Sequence, residues 1–200
     1  MHTWTEHYSS LLEQCRRDIA NHYLVTLVDG PDVQVYQLKQ PNADRMMSCT
    51  IVFAGDQIVI YGDWSPGRDG VVSAPGYDRS WFVANLSAGY LAEKFLRKDW
   101  QEEYTVECLQ SYLDDEDFGF SDEQRKEIEQ RLKRGWESGH EYQDWLYNND
   151  LSILEDEFPM AYDPVHLAQL VCIQEKFSEL WWEWYDARKK EAEDESEQYV

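Results

Sequence analysis

Basic residues are scarce in this sequence: 18 lysines and arginines stand against 40 aspartates and glutamates, which gives a formal net charge of −22. A surface of this sign repels phosphate backbones and anionic lipid headgroups, and it attracts basic proteins. We therefore expect no direct binding to DNA, RNA or a membrane. The partner that the charge favours is a basic, nucleic-acid-binding protein.

Long apolar runs and paired cysteines are also missing. No stretch approaches the roughly 20 apolar residues of a membrane-spanning helix, and the first residues lack the basic and apolar regions of a secretory signal. Cys15, Cys49, Cys108 and Cys172 form no Cys-x-x-Cys pair, which excludes a zinc ribbon. The sequence therefore predicts a soluble cytoplasmic protein with reduced cysteines.

The sequence also lacks the common catalytic motifs: it has no Gly-x-Ser-x-Gly elbow, no phosphate-binding glycine loop and no His-Glu-x-x-His motif. The acidic run from Asp114 to Asp117 lacks the alternating ligands and the central glycine of an EF-hand loop. We therefore predict no enzymatic activity, no metal and no cofactor. The less favoured alternative is an enzyme with its site in the loop from Asp63 to Asp78.

The first half of the chain predicts an α+β arrangement. A helical pattern covers residues 4–22, and an apolar pattern of period two follows it. That pattern predicts strands over residues 23–28, 33–38, 49–53 and 58–61. Because short turns separate these segments, we expect a four-stranded antiparallel meander, covered on one face by the helices at 4–22 and 81–97.

The second half reads as helical throughout. Ser121 and Gln124 have the spacing of a capping box, and Asp163-Pro164 is typical of a helix start. This last helix is expected to run from Pro164 to about residue 190. We predict a sheet-containing domain at 1–98 and an acidic helical region at 99–200 that packs on it, so that the two form one unit.

The negative charge is concentrated in that second half. Residues 1–98 contain 11 acids and 9 bases, whereas residues 99–200 contain 29 acids and 9 bases. Three acidic groups stand out as partner-binding candidates, together with one aromatic residue. They are Asp114, Asp115, Glu116 and Asp117; Glu155, Asp156 and Glu157; Glu175, Glu179, Glu183 and Asp186; and Trp182.

The group in the last helix has a regular spacing. Steps of four residues place successive carboxylates about 6 Å apart along a helix axis, which is similar to the phosphate spacing along a nucleic-acid strand. Two interpretations stay open, a solvated face and an imitation of a phosphate backbone. The tryptophans at 181, 182 and 184 point in different helical directions, so at least one is expected to be exposed or covered by a partner, including a second copy in a homodimer. The alternative is that the helix packs between two other elements and buries all three.

One stretch resembles a diffuse group of phage and mobile-element proteins. The resemblance rests on the segment Ile58–Trp64, on Trp81-Phe82 and on the segment Tyr90–Phe95, within residues 20–98. It implies a mobile-element origin, and small acidic proteins of that origin often resemble inhibitors of host defence, such as anti-CRISPR or anti-restriction proteins. The resulting hypothesis is an inhibitor that binds a nucleic-acid-binding host complex. The alternative is an accessory protein whose acidity serves only solvation.

Overall fold

The computed structural model describes residues 3–41, 48–55, 57–63, 70–71, 84–115, 118–151, 154 and 159–197. The chain divides into two compact units. One consists of Met1–Ser10 and Lys98–Pro164, and the other of Leu11–Arg97 and Val165–Val200. One border lies between Arg97 and Lys98, and the last helix is grouped with the sheet rather than with the other helices.

The sheet is an antiparallel meander. Its strands are β1 (Tyr23–Asp29), β2 (Val33–Lys39), β3 (Cys49–Ala54), β4 (Gln57–Gly62) and the short β5 (Gly70–Val71), in that order across the sheet. The four predicted strands are confirmed to within one residue at each end, and so is the α+β class. The pairing of β5 with β4 was not predicted from the sequence.

Six helices accompany the strands in the described part of the chain. They are α1 (Trp4–Ile19), α2 (Ala88–Phe95), α3 (Glu102–Asp114), α4 (Asp122–Leu132), α5 (Gly139–Asn148) and α6 (Pro164–Glu197). A two-residue pairing joins β6 (Asp99–Trp100) to β7 (Met160–Ala161). Helix α2 lies inside the predicted segment 81–97, whose residues 81–83 lie outside the described ones, and α6 extends beyond its predicted end near 190.

Alternation along the strands places one apolar face of the sheet in the core. Tyr36 lies opposite Ile51, and both are buried. The ring of Phe177 in α6 lies 5.5 Å from that of Tyr36 and 6.1 Å from that of Phe53, between centroids. The last helix therefore covers the aromatic centre of the sheet, a role that the sequence pattern assigned to the helices at 4–22 and 81–97.

The other unit has its own aromatic core. The ring of Trp136 lies 5.3 Å from Tyr142 and 5.2 Å from Trp145. The predicted capping box begins α4: the Ser121 hydroxyl accepts a hydrogen bond from the Gln124 N–H at 3.2 Å, and the Gln124 side chain accepts one from the Ser121 N–H at 2.9 Å. Two donors at the start of the helix are thereby satisfied.

The buried cysteines behave as small apolar residues. All four cysteines are free thiols, and Cys15 in α1 forms a hydrogen bond with Cys172 in α6. Burial raises the pKa of the Cys49 and Cys172 thiols to about 12 in each case. The thiolate, which is the reactive form, is therefore disfavoured at these positions.

Candidate functional site on the last helix

Helix α6 carries five of the twelve predicted partner-binding residues. It begins at Pro164, directly after Asp163, as the sequence predicted. On a helix of 3.6 residues per turn, positions 175, 179, 182, 183 and 186 fall within an arc of roughly 100°. We call the five residues Glu175, Glu179, Trp182, Glu183 and Asp186 the α6 acidic face. Phe177 and Trp181 are on the opposite side of the helix and are buried.

Two carboxylates of this face are already paired with bases. Glu175 accepts two hydrogen bonds from Arg16, from Nε at 2.9 Å and from Nη2 at 2.7 Å. Glu179 accepts one at 3.0 Å from Lys176, whose side chain is largely buried. The predicted stripe of four carboxylates is thus half neutralised.

Glu183 and Asp186 differ from the first two acids. Both are exposed, and neither forms an ion pair with a described residue. They are three residues apart, which corresponds to about 4.5 Å along the helix axis. These two carboxylates are the part of the α6 acidic face that is open to a basic partner.

The aromatic residues beside them form a connected group. Trp181 is buried, whereas Trp182 and Trp184 are half-buried and Tyr185 is 42 % exposed. The ring of Trp182 lies 5.2 Å from that of Trp181 and 5.6 Å from that of Tyr185. Trp182 therefore contacts the buried Trp181 and the exposed Tyr185, and the residue itself stays partly exposed within the α6 acidic face.

The other predicted acidic groups belong to the other unit. Asp114 is the last residue of α3, Asp115 follows it, and both are exposed. Arg125 donates hydrogen bonds to the carbonyls of Leu113 at 2.7 Å and Asp115 at 3.4 Å. The remaining candidates, Glu116, Asp117, Glu155, Asp156 and Glu157, lie outside the described residues.

A polar cleft was missed by the sequence analysis. It has a volume of about 490 Å³ and is lined by Glu6, His7, Ser10 and Glu103. His7 Nδ1 lies 2.9 Å from the Glu103 carboxylate, and the two side chains are about 40 % exposed. Because these residues are 96 positions apart, no local pattern signals their contact.

The residue types in this cleft can be compared with those of a catalytic triad. A serine, a histidine and a carboxylate are the residue types of a nucleophilic triad, but a nucleophile must lie within hydrogen-bond reach of its base. Among the described residues, Ser10 forms no hydrogen bond with His7. The contact that the structure shows is a hydrogen bond between the partly exposed side chains of His7 and Glu103.

Three further observations concern metal binding, the alternative enzyme loop and membrane-spanning helices. They contain no group of three or more histidine, cysteine, aspartate or glutamate side chains that could hold a metal ion. In the alternative enzyme loop, the Asp63 N–H donates to the Ser48 carbonyl at 3.1 Å, whereas Asp78 lies outside the described residues. None of the described helices is long and apolar enough to cross a membrane.

The comparisons with known proteins found no match. No protein-family model matches it, and neither a curated protein nor a solved structure matches it. The resemblance of residues 20–98 to phage and mobile-element proteins therefore stays a prediction.

Proposed function

We propose that this protein is a cytoplasmic binder that inhibits a nucleic-acid-binding host-defence complex, with CRISPR effectors as the first targets to test. In this proposal the α6 acidic face occupies a basic groove that otherwise holds nucleic acid. Glu183 and Asp186 take the place of phosphates, and Trp182 supplies an apolar contact beside them. No enzymatic step, metal or cofactor is involved.

The proposal rests mainly on the position of Trp182. Its ring contacts the buried Trp181, and it lies on the same face of α6 as the exposed carboxylates of Glu183 and Asp186. Partly buried tryptophans are frequent anchors of protein interfaces because they bury a large area with little loss of side-chain entropy. Exposed carboxylates around such an anchor steer a basic partner to it. The net charge of −22 acts in the same direction at longer range.

Glu175 and Glu179 are each paired with a base of the same chain, which limits the part of the face that can bind a basic partner. A carboxylate held by arginine or lysine of its own chain is a weaker substitute for a phosphate, since its field is partly cancelled. The contact with a basic partner is therefore centred on the end of the face that contains Glu183 and Asp186. The competing explanation is that the whole face serves only solvation.

Inhibition of target cleavage by purified, guide-loaded CRISPR effectors tests the proposal directly. We expect the wild-type protein to inhibit at least one effector of a panel, with a potency that falls steeply as salt is added. The Glu183→Gln/Asp186→Asn variant should need about tenfold more protein for half-inhibition, because each exposed charge pair contributes up to about 1 kcal/mol. Nucleic acid should compete with the wild-type protein for the effector.

A variant with the same change of charge at another place is the matched control. Glu129 in α4 and Asp144 in α5 are exposed acids, so Glu129→Gln/Asp144→Asn removes two charges without touching α6. Its potency should equal that of the wild type. Equal losses for both double variants would favour solvation or general charge over a specific face, and the absence of inhibition across the panel would reject the proposed targets.

A further inference from the structure

The outer edge of the sheet is an apolar feature that the proposed function leaves unexplained. Strand β1 is the first strand of the sheet, and no described strand pairs with its outer side. Its residues from Tyr23 to Val28 carry no charge, in a chain whose net charge is −22. Tyr23, Leu27 and Val28 are 44 %, 52 % and 45 % exposed.

Proteins usually protect such an edge with lysine, proline or an inward-pointing charge. Strand β1 contains neither lysine nor proline, and the charge of Asp29 at its end is paired with Arg188 at 3.2 Å. A bulge interrupts the register with β2 between Thr26 and Val28. The bulge protects one end of the edge only, and the residues from Tyr23 to Thr26 keep a regular pairing on their inner side.

The register shows which side chains share the exposed face. Val25 lies opposite Gln37 and Val28 lies opposite Val35, whereas the buried Tyr36 lies on the other face. Val33, which is 38 % exposed, continues this apolar row on β2. Strand β1 itself is therefore apolar and uncharged from Tyr23 to Val28, and on the adjoining face of β2 the basic residue Lys39 lies at one end, opposite Tyr23.

The absence of charge from Tyr23 to Val28 favours an occupant that is itself an uncharged strand. A basic partner is attracted by carboxylates, and β1 offers none that is unpaired. A second copy of the chain offers the same uncharged strand, so antiparallel pairing about a two-fold axis brings apolar residues together with no like charges opposite one another within the strand. We propose that β1 pairs with the β1 of a second copy, which joins the two sheets into one continuous sheet of a homodimer.

The mass of the protein in solution tests this inference, by light scattering or sedimentation over a range of concentrations. We expect a concentration-dependent rise from 23.8 kDa to twice that value. Added salt should strengthen the dimer, because it screens the repulsion between two copies of net charge −22. Added salt should weaken the proposed binding of a basic partner. The two proposals therefore predict opposite salt dependences, and the failure of one can be told apart from the failure of the other.

Two lysine variants locate the interface. Tyr23 in the regular part of β1 and Tyr61 in β4 are 44 % and 52 % exposed, so Tyr23→Lys and Tyr61→Lys make the same substitution at similar exposure. We expect Tyr23→Lys to be monomeric and Tyr61→Lys to dimerise like the wild type, with amide exchange in β1 slowed only in the dimeric proteins. A wild-type protein that stays monomeric at its highest soluble concentration would overturn the inference. A dimer that survives Tyr23→Lys, or that is lost with Tyr61→Lys alone, would also overturn it.

Discussion

Arg16 and Glu175 form an ion pair with two hydrogen bonds, at 2.9 Å and 2.7 Å, across 159 positions of the sequence. The planar guanidinium matches the carboxylate in this geometry, which favours arginine over lysine. Its consequence is functional as well as structural, because it removes Glu175 from the acids that are open to a partner. The spacing of acids along α6 therefore overstates the charge that the helix presents.

Replacing the paired acid Glu175 should lower stability, whereas replacing the unpaired acid Glu183 should not. Glu175→Gln removes the carboxylate of this pair and should lower the free energy of unfolding by up to about 1 kcal/mol, the value of an exposed pair. Glu183→Gln removes like-charge repulsion with its neighbours and should leave stability unchanged or raise it by a few tenths of a kcal/mol. Urea unfolding at low salt measures both, and added salt should shrink the loss for Glu175→Gln. An equal loss for both variants would contradict the pairing.

Because the thiols of Cys49 and Cys172 are buried, we expect the protein to lose stability at high pH. Burial raises the pKa of Cys49 and Cys172 to about 12, above the 9.0 of an unperturbed thiol. Since the folded-state pKa is the higher one, this contribution is fully present below about pH 9 and is lost as pH rises towards 12. Burial also raises the pKa of Tyr142, which adds to the trend in the same direction.

Urea unfolding between about pH 8 and pH 11 measures this dependence. Cys49→Ala should lower the stability at every pH through the cavity that it leaves, but the decline above pH 9 should become shallower because one titrating group is gone. A decline as steep as that of the wild type would show that the Cys49 thiol does not contribute to it.

Gly62 should tolerate no side chain. Its φ is +129°, and a Cβ there would lie 2.2 Å from the Ser48 carbonyl oxygen. Gly62→Ala therefore requires a backbone shift at the end of β4, and we expect a loss of roughly 2 kcal/mol or more in the free energy of unfolding. Gly89 in α2 is the matched control, because a Cβ there meets nothing within 4 Å and alanine favours a helix by up to about 1 kcal/mol. Gly89→Ala should be neutral or stabilising, and similar results for both variants would contradict the geometry at Gly62.

The Ser121 hydroxyl of the capping box at the start of α4 should make a measurable contribution to the free energy of unfolding. Ser121→Ala removes the acceptor of the Gln124 N–H and should cost about 1 kcal/mol of stability. Ser111 lies exposed inside α3, so Ser111→Ala makes the same chemical change where alanine is the better helix former. Thermal or urea unfolding should show a loss only for Ser121→Ala. A loss for both variants would point to a general effect of the substitution.

Much of the fold was predictable because its signals are local. Alternation of apolar residues marked β1 to β4, Ser121 and Gln124 marked the start of α4, and Asp163-Pro164 marked the start of α6. Each of these patterns depends on residues within one element or one turn. The predicted exposure of at least one tryptophan among 181, 182 and 184 agrees in part with the structure, where Trp182 and Trp184 are half-buried.

The sequence by itself determined the excess of acid, the antiparallel meander and the periodic face of α6, since these depend on composition and on neighbours a few positions apart. Only the tertiary structure decided that Phe177 covers the sheet, that Arg16 neutralises Glu175 and that His7 meets Glu103. Those contacts join residues about 100 or more positions apart in the chain. Many alternative pairings of a helix satisfy the same local pattern, and packing of the whole chain selects one of them.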